Sequence, residues 1–99
     1  MASTEWLADV VNELDRQHRK FGVQTHPDGT NADYAAVADM YRHRCDIATA
    51  SGLLTWNDIL TEEFYEALAE TDPAKLREEL IQVAAVALQW VTSLDNRGK

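Results

Sequence analysis

The sequence predicts an all-α fold of four helices, and three observations predict it. Apolar residues recur at spacings of three and four in four separate segments. Three of them begin just after a capping residue: Ser3 or Thr4, Thr55 and Asp72. No run alternates apolar and polar residues as a half-buried strand does. At 99 residues, with no internal repeat or low-complexity stretch, the chain reads as a single domain over residues 1–99.

The first helix is expected over about residues 4–20, with Trp6, Leu7, Val10, Val11 and Leu14 on one stripe that Gln17, His18 and Phe21 continue. From Phe21 to Thr30 periodicity disappears, and Gly22, Pro27 and the Asp28-Gly29 pair mark an ordered loop. The second helix is expected over about residues 32–50, with Tyr34, Val37, Ala38, Tyr41, Cys45 and Ala48 as its stripe and Ser51-Gly52 as its end. Thr55 caps a third helix, about residues 55–71, whose acids Asp58, Glu62 and Glu63 favour its N-terminal half. Asp72 caps a fourth, about residues 73–95, with Pro73 in the first position. This last helix is apolar almost all round, so it is central or buries a second face in an oligomer. Asn96 to Lys99 reads as a short tail.

The bulk properties exclude several classes of function. A net charge of −8, from 17 acids and 9 bases, repels a nucleic-acid backbone, so no nucleic-acid polymer is expected as a partner. The longest strongly apolar run, Val83 to Leu88, is far too short for a bilayer, and no membrane partner is expected. The single Cys45 forms no internal disulfide and lies on the apolar stripe of the second helix as a core thiol. With no signal peptide in view, these features point to a soluble, cytoplasmic protein.

The functional reading rests on Glu62-Glu63-Phe64-Tyr65-Glu66 and Glu79-Leu80-Ile81-Gln82. Residues three apart share a helix face. Folding the chain back at Thr71-Asp72-Pro73 as an antiparallel hairpin brings Glu66 level with Glu79 and Glu63 level with Gln82. On the third helix Ile59, Leu60, Phe64 and Ala67 form an apolar arc, with Glu63 inside it and Glu66 on its edge. Glu79 has Leu76, Val83 and Val86 as axial neighbours. Most helical acids are simply solvated. A carboxylate on a buried stripe, however, needs a cation or a strong donor. Three carboxylates and an amide oxygen suit a hard cation, Mg²⁺ or Mn²⁺, sharing its shell with substrate phosphates. The spacing of His18, His26 and His43 relative to Cys45 does not suit zinc.

The same residues resemble the signature of the MazG-like, all-α nucleoside triphosphate pyrophosphohydrolases: EExxE, a spacer of a dozen or more residues, then ExxD. The loop from Phe21 to Pro27 also resembles that of small actinobacterial and phage members. The resemblance implies a four-helix MazG-like bundle whose acidic site lies on the helical hairpin. It implies hydrolysis of a nucleoside triphosphate to the monophosphate and pyrophosphate, with Mg²⁺ as cofactor. In that scheme Glu63, Glu66 and Glu79 hold the metal, Gln82 standing where the family has Asp. Glu62 holds a further ion or orients the attacking water. The resemblance also implies assembly as a homodimer or homotetramer. The departure at Gln82 removes one negative charge and favours a competing reading, a helical module that sequesters a nucleotide or signalling molecule without turnover. A purely structural helical oligomer is a third reading.

Other substrate contacts are weighed beside simpler roles. Arg44, Lys20 and Arg16 are the candidates for phosphate, Arg44 first because it edges an apolar stripe; its alternative is pairing with an acid or snorkelling to solvent. Gln24 and His26 in the loop are candidates for base or sugar, though His26 can be a plain loop residue. Trp56 is a candidate stacking platform whose simpler role is core packing at a helix start.

Overall fold

The computed structural model describes residues 5–98. Among them the chain forms α1 (Glu5–Phe21), a 3₁₀ turn (Ala32–Tyr34), α2 (Ala35–Ala50), α3 (Trp56–Ala69) and α4 (Pro73–Asp95). The expected cap at Ser3 or Thr4 lies outside the described residues, as does Lys99. The described residues contain no strand, and none of their helices is long and apolar enough to cross a membrane.

Local chemistry accounts for the boundaries. Gly22, at φ 70°, ends α1 by donating its N–H to the His18 carbonyl at 2.8 Å. The second helical segment opens as a 3₁₀ turn because the Asn31 side chain accepts from the Asp33 N–H at 2.8 Å and tightens the first residues. At the other end of α2, Gly52 (φ 70°) donates to Thr49 and Leu53 to Ala48, the two bonds that satisfy a helix's last carbonyls when the residue beyond it turns left-handed. Thr55 and Asp58 cap α3 reciprocally, each side chain bonded to the other's backbone N–H. Helix α3 stops at Ala69, two residues before the expected end. Glu70 is already extended (ψ 124°), and its carboxylate accepts from the Asp72 N–H at 3.0 Å. Asp72 precedes a proline, so its backbone must be extended, and its side chain caps α4 through the Lys75 N–H at 3.0 Å.

The helices lie in an open row. Helix α2 packs on α3, α3 on α4, and α4 on α1, while α1 touches α4 alone among the described elements. Two stacked rings, Tyr41 and Tyr65 with centroids 5.2 Å apart, join α2 to α3, and Tyr34 leans on Tyr65 at 6.4 Å. The Asn31 N–H donates to the Leu68 carbonyl at 2.8 Å, which ties the end of the long loop to α3. The buried apolar residues are few and mostly small: Ala38 and Cys45 on α2, Ala67 on α3 and Leu76 on α4. None belongs to α1. The outcome is a slab of 42 × 42 × 19 Å with a radius of gyration of 15.8 Å, against about 13 Å for a compact chain of this length.

Candidate metal centre

The α3–α4 contact brings the acids together. Glu63 and Glu66 are one turn apart on α3, and Glu79 stands in the second turn of α4. One carboxylate oxygen from each lies within 4.8 Å of the others. The short Glu70–Asp72 connection makes this possible, because it folds α4 directly back onto α3. All three side chains are half-buried. Glu63 Oε2 and Glu79 Oε2 are shielded from solvent with no hydrogen-bond partner among the described residues. A native fold rarely leaves such atoms bare, because each costs about 1–3 kcal/mol.

Electrostatics follows the geometry. Burial holds the Glu63 carboxyl above the usual carboxylate range, and the charges of Glu66, Glu79 and Glu62 push it further up. Burial also raises Glu66. There a hydrogen bond from Arg42 pulls back, while Glu62 and Glu79 add to the rise. Arg42 Nη2 donates to Glu66 Oε1 at 3.2 Å and its Nη1 to Asp39 Oδ1 at 2.6 Å. One cation therefore leans on a cluster of three acids. The remaining negative charge is answered by taking up protons or by binding a cation. All-oxygen donors at this spacing suit a hard divalent ion.

The other expected site residues distribute unevenly. Gln82, one turn beyond Glu79 on α4, is exposed. Glu62 is close enough to raise Glu63 and Glu66, and it also stands beside Cys45. Burial and then the carboxylates of Glu62, Asp58 and Asp46 push that buried thiol up to about 12; its Sγ donates to the Asp58 carbonyl at 3.2 Å. Arg44 is paired with Asp58 at 3.5 Å. Arg16 is paired with Glu13 at 2.7 Å. Lys20 lies over the Phe21 ring, 5.2 Å from its centroid. Gln24 and His26 bond to each other at 2.8 Å in the exposed loop. Half-buried Trp56 lines a cavity of about 570 Å³ together with Trp6 and Leu88. Arg42 was not among the expected contacts. It sits four residues after Ala38 and three before Cys45, both buried, so its place at the edge of the α2 stripe is the signal that could have found it.

No family model, curated protein or solved structure matches the chain.

Proposed function

We propose that this chain binds Mg²⁺ or Mn²⁺ through Glu63, Glu66 and Glu79 and uses the site to hydrolyse a nucleoside triphosphate to its monophosphate and pyrophosphate, controlling or cleaning a nucleotide pool. The observation that carries the metal reading is the pair of shielded, unpartnered oxygens, Glu63 Oε2 and Glu79 Oε2, within a 4.8 Å carboxylate cluster. The nucleotide reading is carried by the EExxE-to-Glu79 pattern and its likeness to the MazG-like signature.

In this reading the bound ion neutralises the phosphates and the charge that develops on the transferred phosphorus. The chain's own residues do the rest. Glu62 orients a water or holds a further ion; the water oxygen bonds to the α-phosphorus as the α–β bridging bond breaks, the water's proton passes to solvent, and pyrophosphate leaves. Arg42, already divided between Asp39 and Glu66, balances the acids. Arg44 and Lys20 are the proposed phosphate contacts, Gln24 and His26 the sugar or base contacts, and Trp56 the stacking surface.

Incubation with a panel of nucleoside triphosphates and Mg²⁺ or Mn²⁺, followed by product analysis, tests the proposal. Monophosphate and pyrophosphate that disappear in Glu66→Ala are the expected outcome. Gln82 favours one second reading, sequestration without turnover, because an exposed neutral amide adds no charge to the site. That reading predicts tight nucleotide binding with the ligand recovered intact. Absence of both, together with no shift in melting temperature on adding Mg²⁺ or Mn²⁺, sinks the site.

A further inference from the structure

Arg42 brings a positive charge to the carboxylate trio from a third helix. Its Nη2 donates to Glu66 Oε1 at 3.2 Å and its Nη1 to Asp39 Oδ1 at 2.6 Å. A charge-assisted N–H···O contact is ordinarily about 2.7–2.9 Å, so the guanidinium is held firmly by Asp39 and loosely by Glu66. Asp39 lies one turn before Arg42 on α2, whereas Glu66 belongs to α3. Exposure runs the same way: the side chains of Glu66, Arg42 and Asp39 are 20%, 52% and 70% exposed. Arg42 therefore stands between the cluster and solvent, and the partner on its own helix lies on the solvent side.

The trio needs positive charge whether or not an ion is bound. In the metal-free chain Arg42 supplies one charge against three carboxylates, and Glu63 Oε2 and Glu79 Oε2 have no donor among the described residues. A small divalent ion lies about 2.0–2.1 Å from its ligand oxygens. With Glu66 as one of those ligands, two more positive charges come within about 5 Å of a guanidinium still bonded to Glu66. Like charges that close repel strongly in a half-buried site. The guanidinium has several donors and a second partner, so it can leave Glu66 without losing Asp39.

We infer that Arg42 is the exchangeable cation of this site. It holds Glu66 in the metal-free chain and swings out on Asp39 when a divalent ion takes its place. This rests on the metal reading proposed above and adds a step to it: the ion must displace a residue of the chain before Glu66 is free to ligate. A site closed for part of the time binds more weakly, in proportion to the fraction that is open. Arg42 thereby sets the concentration at which the site fills.

Isothermal titration of the chelator-treated full chain with Mn²⁺ alone tests the exchange. Arg42→Gln removes the charge and keeps a polar, helix-forming side chain. It is expected to raise Mn²⁺ affinity about tenfold, the factor for a site that Arg42 closes about nine-tenths of the time. Asp39→Asn is expected to lower the affinity, because both Nη groups are then free for Glu66. Combined with Arg42→Gln it is expected to change nothing further, since Asp39 acts only through Arg42. Arg77→Gln removes an equal charge at an exposed position two residues from Glu79, and is expected to leave the affinity within about twofold. Far-UV circular dichroism checks that each variant keeps its helices. A lower affinity in Arg42→Gln overturns the inference, because Arg42 then steadies Glu66 as a ligand. So does an equal rise in Arg77→Gln, which belongs to net charge alone, or an Asp39→Asn effect that persists without Arg42. Mn²⁺ binding indifferent to Arg42 ends this inference and spares the metal reading, whereas no Mn²⁺ binding to any of the proteins ends both.

Discussion

Helices α1 and α3 are similar in length and both amphipathic, yet they are held in different ways. Helix α3 has a reciprocal cap, neighbours on two sides, a stacked tyrosine pair and Ala67 at 1% exposed. Helix α1 has one neighbour, no buried residue and a groove left open beneath it. The acids follow the same division. On α1 Glu13 pairs locally with Arg16, whereas Glu63 and Glu66 on α3 are drawn into a half-buried cluster. A helix that is enclosed can impose unusual environments on its polar groups, and a helix on the margin cannot. Unusual environments for polar groups therefore concentrate on α3 and α4, and uncovered apolar surface on α1.

The largest test of this contrast removes the same atoms from each region. Leu76→Ala, at a site 8% exposed, is expected to cost about 3 kcal/mol by urea unfolding. Leu14→Ala, at a site 60% exposed, is expected to cost less than about 1 kcal/mol. Equal losses would end the distinction. Next in size, Mg²⁺ at a hundredfold excess over its dissociation constant is expected to stabilise the wild type by about 2.7 kcal/mol, read as a rise in melting temperature. Glu79→Gln is expected to abolish that rise and Leu14→Glu to preserve it, because the proposed ligands belong to the enclosed half.

A smaller effect concerns pH. In chelator-treated protein the raised carboxyls of Glu63 and Glu66 bind protons more tightly folded than unfolded. Their contribution to stability is thus complete below the ordinary glutamate pKa and is lost as pH rises through the folded value. Denaturation curves between pH 4 and pH 7 should show a decline that Glu63→Gln reduces. A decline of the same size in the variant assigns it elsewhere. The last comparison costs no stability. With its thiol pushed up to about 12, Cys45 should resist an aromatic disulfide reagent at pH 8 until the protein unfolds, while an introduced Leu14→Cys reacts at once.

Much of the fold was legible because its signals are local. The Thr55 and Asp72 caps, Pro73 at the start of α4, and the Gly52 stop are each written within a turn or two of where they act. The carboxylate trio was legible for a related reason: three-residue spacing puts Glu63 and Glu66 on one face, and a tight connection returns Glu79 to them. Arg42 was missed because its acid partner on α3 lies 24 residues away, and its place at the edge of the α2 stripe does not by itself name that partner. Arg44 was put forward for phosphate, with pairing to an acid as one alternative, and only packing names Asp58 as the acid beside it.

The sequence by itself determined four helices, the caps at Thr55 and Asp72, the stop at Gly52, and which acids share a face, since short-range sterics, backbone hydrogen bonding and helical periodicity decide these. Tertiary structure alone decided that the helices form an open row, that two glutamate oxygens are shielded without a donor, and that the apolar stripe of α1 stays uncovered. Periodicity says that a stripe must be buried; only the three-dimensional arrangement says how much of it the chain itself can bury.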